Sequence, residues 1–163
     1  MSARVPDWVF SDAERAAMDA ALGEARAAVA GGDVPVGAVL LDPGGRVISR
    51  AHNRREADAD PTAHAEILVI REAARALGTW RLDGCALVVT LEPCAMCAAA
   101  AVHARLASVV WGAADPKAGF AGSLANLLDD PRLNHRVAVR GGLRAEEAGA
   151  LLEQFFAKLR DRG

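Results

Sequence analysis

The stretch Ala86-Leu87-Val88-Val89-Thr90-Leu91 is a short, continuous apolar run, the pattern of a strand buried on both faces. Pro93 follows, suited to the first turn of a helix, where its missing N–H is not needed, and the alanine-rich segment to His103 completes that helix. Residues 108–112 read as a second buried strand. Strand, helix and strand in succession predict a parallel crossover.

Upstream, residues 64–77 carry Ile67, Leu68, Ile70 and Ala74 at helical spacing before Gly78, and the polar, proline-bearing residues 52–63 read as a loop. Residues 36–41 and 46–51 are apolar, β-branched runs around Asp42-Pro43-Gly44-Gly45, which suits a hairpin. Ser11-Asp12-Ala13-Glu14 reads as a capping box opening a helix that runs through Val29 until Gly31-Gly32 stops it. Downstream come a glycine-bearing loop over residues 113–123, a weaker strand over 136–140 and a terminal helix from about Arg144. The pattern predicts an α/β protein, a three-layer α/β/α arrangement around a central mixed sheet of about five strands. With no repeat, low-complexity segment or linker, residues 1–163 read as a single domain.

Of the 163 residues, 52% are hydrophobic and 25% charged, ordinary for one domain with a real core. A net charge of −2 gives no global positive field, so any RNA contact must be local. Residues 130–163 hold seven basic and five acidic side chains, which places the basic excess in the tail. Uncharged stretches such as residues 93–104 fall short of the ~20 apolar residues of a membrane span. Residues 1–10 contain Arg4 and Asp7 and no apolar run of leader length. Three cysteines, an odd number, suit metal or redox chemistry in a reducing compartment. A cytoplasmic protein with no membrane partner is expected.

His64-Ala65-Glu66 and Pro93-Cys94-Ala95-Met96-Cys97 match HxE…PCxxC, the signature of zinc deaminases. Zinc takes nitrogen and thiolate donors, and a catalytic site supplies three and keeps a fourth position for water. His64, Cys94 and Cys97 are such donors. Both groups fall at predicted helix starts, where unpaired N–H groups favour thiolates. Glu66 lies in the first turn beside His64, placed to carry protons rather than to ligate. A CxxC alone is equally a redox pair, half of a structural zinc site or two packed cysteines; the company of HxE and Pro93 selects metal catalysis. Cys85, without a partner at ligand spacing, reads as a core thiol.

Most of the chain resembles the bacterial tRNA-specific adenosine deaminase family, within the cytidine deaminase-like superfamily. The segments that carry the likeness are residues 34–39, Asn53, 60–66, 89–97, 112–117, 122–124, 134–136 and Phe155-Phe156. The zinc pieces mark the superfamily, and the segments after Cys97 narrow it to the family. The resemblance implies a cytidine deaminase-like fold, one Zn2+ per subunit and no organic cofactor. It also implies hydrolysis of the wobble adenosine of an arginine tRNA anticodon stem-loop to inosine, with release of ammonia, by a homodimer. Glu66 would be catalytic; Asn53 would bind the flipped base, with backbone near Ala65 and Cys94 completing the pocket. Asp115 would lie close to the target nucleotide, and Asn134 and His135 in a segment approaching the anticodon loop.

Simpler readings stand beside these. Asn53 suits a turn, Asp115 a turn or cap, and His135 and His103 a packed or surface histidine. The tail cations, Lys158, Arg160 and Arg162 among them, suit a solvated face as well as phosphate contacts. Ala114 stands where relatives often have Arg, and Ala98-Ala99-Ala100-Ala101 lacks the Gly that relatives often carry there. Two other functions share the zinc signature: a deaminase of guanine, cytosine or a nucleoside, and a zinc-stabilised RNA-binding module without catalysis. Segments 115–123 and 134–135 weigh against the first, and Glu66 against the second.

Overall fold

The computed structural model describes residues 9–163; of the segment read for a leader, residues 1–8 lie outside it. The elements are α1 (Asp12–Ala30), β1 (Gly37–Leu41), β2 (Val47–His52), α2 (Ala65–Leu77), β3 (Ala86–Leu91), α3 (Ala95–His103), β4 (Ser108–Ala113), a 3-10 turn (Leu127–Asp129), β5 (Ala138–Gly141) and α4 (Ala145–Arg162). No helix among the described residues is long and apolar enough to cross a membrane.

The five strands form one sheet in the order β2-β1-β3-β4-β5. β1 is antiparallel to β2 and to β3, whereas β4 is parallel to both β3 and β5. The predicted parallel crossover is therefore β3-α3-β4. Alternate residues of each strand face opposite layers. Ala38, Leu40, Leu87, Val89 and Val109 pack with Val69 and Ala73 of α2 and Ala98 and Ala101 of α3. Val39, Leu41, Val88 and Val110 pack with Met18, Ala21 and Leu22 of α1 and Ala148 of α4. This is the α/β/α sandwich expected from the sequence. Layer contact is tightest at Gly37, where a Cβ would stand 1.9 Å from the carbonyl oxygen of Ala21, so any larger residue would push α1 off the sheet.

Two boundaries differ from the sequence reading. Pro93 is not in the first turn of α3: Cys94 is its N-cap, extended at φ −73° and ψ 177°. The proline restricts Glu92 to extended backbone, and its own carbonyl is taken by the N–H of Phe120 at 2.8 Å, so the strand continues past β3 before turning. The last strand begins two residues later than read, because Val137 donates to Leu128 of the 3-10 turn before β5 joins β4.

Charged groups tie the outer layer together. The capping box of α1 forms as read, Glu14 N–H to Ser11 Oγ at 3.0 Å and Ser11 N–H to Glu14 Oε1 at 2.9 Å. Glu14 also pairs with Arg140 of β5, whose guanidinium reaches the Val9 carbonyl. Arg144 precedes α4 with φ +53° and pairs with Asp19 of α1 and Glu147. The outer half of α4 is held differently: only Ala148, near its start, is buried.

Burial would raise the Glu14 carboxyl, but its bonds from Ser11 and Arg140 prevail and hold it below the ordinary 4.5. A carboxylate lowered by folding contributes stability above its unfolded value and loses it as pH falls through the folded one. Glu14→Ala is therefore expected to cost about 1–2 kcal/mol at neutral pH, allowing for the partial exposure of Arg140. In urea titrations the gap to the parent should close as the pH drops below the ordinary carboxylate range.

Candidate active site

One edge of the sheet gathers most of the predicted site. β3 and β4 point their C-terminal ends there, and antiparallel pairing brings the start of β1 and the end of β2 alongside. Chain leaving β2 enters the Asn53 loop, chain leaving β3 reaches Cys94, and chain leaving β4 reaches Asp115. The crevice outside the carboxyl ends of parallel strands is where open α/β sheets place ligands.

The loop after β2 delivers α2 to this edge. Buried Asp33 accepts the N–H groups of Glu56 at 2.7 Å and Ala57 at 3.1 Å, fixing the loop's course. His64 is the N-cap of α2 in extended conformation, with no side-chain capping bond, so its imidazole is left to turn inward. Cys94 and Cys97 occupy the N-cap and third position of α3. His64 Nδ1 lies 3.6 Å from Cys94 Sγ and 3.4 Å from Cys97 Sγ, and the three donor atoms lie within 4.8 Å of one another. Tetrahedral zinc with ordinary bond lengths requires S···N near ~3.5 Å and S···S near ~3.8 Å. The residues present fit the metal.

Protonation within the cluster follows from its geometry. A hydrogen bond from Cys97 brings the Cys94 thiol down to about 4 against the effect of burial, with help from His64 and the Cys97 N–H. The same bond, then burial, then the Glu66 charge push the Cys97 thiol strongly up. His64 is raised by its bond to Cys94. Glu66, 4% exposed, is raised by burial in the first turn of α2, and it bonds the Cys97 thiol. Metal uptake must displace the protons that Cys97 and His64 retain.

Asn53 is buried at the same edge, where its Nδ2 donates to the Val34 carbonyl at 3.3 Å and its Oδ1 accepts from Arg55 N–H at 3.2 Å. Ala65 is fully buried as the first residue of α2. Asp115 Oδ1 accepts from Lys117 and Ala118 N–H, both at 3.2 Å, so its side chain caps a turn as well as lining a groove. Asn134 and His135 are not brought to this edge. His135 Nε2 contacts the Leu106 carbonyl at 2.7 Å, next to the start of β4, and exposed Asn134 adjoins it; the length of β4, roughly 16 Å, separates them from the cysteines. His103 is exposed at the end of α3, and Cys85 is a buried thiol raised by desolvation.

Sequence reading missed the groove itself, of about 780 Å3, between the 114–118 loop and the outer half of α4. Val34 and Leu91 form its floor side, Asp115 and Lys117 one wall, Phe156, Leu159 and Arg160 the other. It also missed Glu92, 2% exposed. Burial would raise this carboxyl, but hydrogen bonds from Ser123, Asp115 and Ala121 prevail and lower it. A charged residue closing an otherwise apolar strand was the available signal.

The family model of the cytidine and deoxycytidylate deaminase zinc-binding region matches residues 11–113. A tRNA-specific adenosine deaminase of Bacillus subtilis (strain 168) is 52% identical over 145 residues, covering 89% of each chain. The chain belongs to the tRNA-specific adenosine deaminase family. A solved structure from a study of A-to-I editing by tRNA:A34 deaminases at the wobble position superposes with a TM-score of 0.81 and 47% identity, over 84% of this chain and 99% of that one. A guanine deaminase from Nitrosomonas europaea shares the fold more distantly, with a TM-score of 0.76 and 28% identity over 88% of this chain and 84% of that one. Family membership makes the metal zinc, and the cluster has room for one ion per subunit.

Cys97→Ala is expected to weaken zinc retention by at least about a hundredfold and to lower the melting temperature, since the donors join two helix starts. Metal analysis after dialysis against a chelator checks this; full loading of the variant removes Cys97 from the ligand set.

Proposed function

We propose that the protein hydrolyses the wobble adenosine of a tRNA anticodon, that of an arginine tRNA, to inosine and ammonia. The observation that carries this reading is the groove beside the loop that leaves β4, at the same end of the sheet as the metal donors though lined by none of them. A free base needs a closed pocket, whereas this groove presents Phe156 and Leu159, 42% and 53% exposed, beside Lys117 and Arg160. An exposed ring and apolar surface flanked by cations suit a splayed loop base and its phosphates. Four tail arginines are taken up within the chain: Arg132 by Asp130, Arg136 by Asp129, Arg140 by Glu14 and Arg144 by Glu147. Exposed Lys158, Arg160 and Arg162 on the last turns of α4 are then the cations offered to RNA.

His64, Cys94 and Cys97 would hold the zinc, whose chemistry there would be to acidify a water. Glu66 takes the two protons of the attacking water in turn and returns one to the ring nitrogen next to the reacting carbon and one to the departing amine, so that C=O replaces C–NH2 and ammonia leaves. Burial suits it to the task, because it raises the carboxyl above its ordinary range and so makes it a better proton acceptor. Asn53, already held by Val34 and Arg55, orients the base with an amide fixed in advance, and backbone at Ala65 and Cys94 closes round it. Asp115 shapes the groove wall against the target nucleotide. Asn134 and His135, at the far end of β4, are placed to meet RNA bound by a second subunit of a homodimer; the half-buried Ile67, Leu68 and Met96 of α2 and α3 offer apolar surface for one.

The deciding experiment gives the zinc-loaded protein a synthetic arginine anticodon stem-loop with a wobble adenosine, and guanine and cytidine in parallel. Inosine on the stem-loop alone is expected; conversion of guanine alone transfers the protein to the free-base reaction of its more distant relative. Glu66→Gln should keep zinc and lose about 10²- to 10⁴-fold in kcat. Arg160→Ala should weaken stem-loop binding and reduce the slope of log K against log salt by about 0.7–0.9. An unchanged slope takes Arg160 off the RNA.

A further inference from the structure

Glu92 stands two residues before Cys94, and its carboxylate accepts four hydrogen bonds, all from the 115–123 segment. Oε1 accepts the Asp115 N–H at 3.1 Å and the Ser123 hydroxyl; Oε2 accepts the N–H groups of Ala121 at 3.1 Å and Ser123 at 2.9 Å. Its own N–H donates to the Ala113 carbonyl at 2.8 Å. The next residue, Pro93, accepts from Phe120, and Cys94 forms a bridge with Gly119. The whole 113–123 loop is thus wound round one side chain and laid along the segment that carries the metal ligand.

The wrapping leaves no slack. A Cβ on Gly119 would lie 2.2 Å from Glu92 Oε2 and 2.6 Å from the Asp115 carbonyl. Lys117 and Ala118 follow Asp115 on the same loop and line the groove. We infer that Glu92 is a positioning residue for the substrate: its carboxylate sets the groove wall of Asp115, Lys117 and Ala118 at a fixed place relative to Cys94, and so governs how RNA is held rather than the bond-making step. The inference rests on the deaminase reading above for its kinetic consequence, and on the hydrogen bonds alone for its structural one.

An amide in place of the carboxylate separates this role from bulk. Glu92→Gln keeps the shape but must point an NH2 at donors. Facing Ala121 and Ser123 it meets two N–H groups; facing Asp115 and Ser123 it meets one N–H and a hydroxyl that can turn to accept. The second orientation costs less, and it releases the Asp115 end of the loop.

Amide hydrogen exchange on the zinc-loaded protein, with zinc content and steady-state kinetics on the stem-loop, tests this. In Glu92→Gln, exchange at Asp115 is expected to quicken at least about tenfold while α3 keeps its protection; zinc is retained, and KM rises about tenfold with a much smaller change in kcat. Ser123→Ala removes one donor and no charge, and serves if the first variant does not fold: its KM should rise about threefold with faster exchange at residue 123. Parental exchange and KM in a folded variant overturn the inference. Loss of zinc, or a fall in kcat at constant KM, also overturns it and makes Glu92 a support of the metal segment. A parent inactive on the stem-loop defeats the proposed function, while the exchange measurement still decides what Glu92 holds.

Discussion

Two helices starting side by side at one sheet edge are the constraint from which the site follows. A metal with three protein donors needs them within a few ångströms, and helix starts meet that need with short side chains: His64 at the head of α2, Cys94 and Cys97 in the first turn of α3. The helix ends add unpaired N–H groups, which favour the anionic sulfurs. For both helices to begin at that edge, β1 must run against β3 and β4 must run with it, which is the mixed sheet observed. The antiparallel hairpin then returns the chain to the same edge with Asn53.

Packing explains why this arrangement holds still. Both faces of β1 and β3 are covered, so a register slip would move every apolar side chain into the wrong layer. Close approach of α1 at Gly37 ties the first strand from behind, and the loop wound on Glu92 ties the third from its end. The metal donors therefore sit on elements fixed by the core, and the groove wall on a loop fixed to those elements.

The period-2 and period-3.6 patterns made the layers legible, because each strand and helix buries a face whose spacing survives in the sequence. Capping at Ser11 and the donors at residues 64, 94 and 97 were equally readable, since local spacing dictates both. Local spacing assigns Pro93 to the helix that follows it, because nothing local shows that Phe120 claims its carbonyl and holds it before the N-cap. The role of Glu92 and the existence of the groove depend on residues far apart in the chain, such as Ser123 bonded to Glu92, or Val34 and Arg160 lining one groove, and no periodicity encodes them. His135 is the reverse case: its motif suggests the substrate, while its ring nitrogen meets the backbone of Leu106 at the other end of β4.

The attachment of α4 has a consequence for how such an enzyme diversifies. Arg144, Asp19 and Glu147 anchor its first turn, Ala148 is buried in the core with Leu151 and Leu152 packed partly against it, and Glu153, Phe156, Leu159 and Arg160 beyond them line the groove. Substitutions along that outer half change what the cleft accepts without touching the residues that keep the sheet covered. Fidelity for one RNA and tolerance of another can thus be traded on a surface where mutation carries little folding penalty, while the chemistry stays locked in the invariant geometry of the two helix starts.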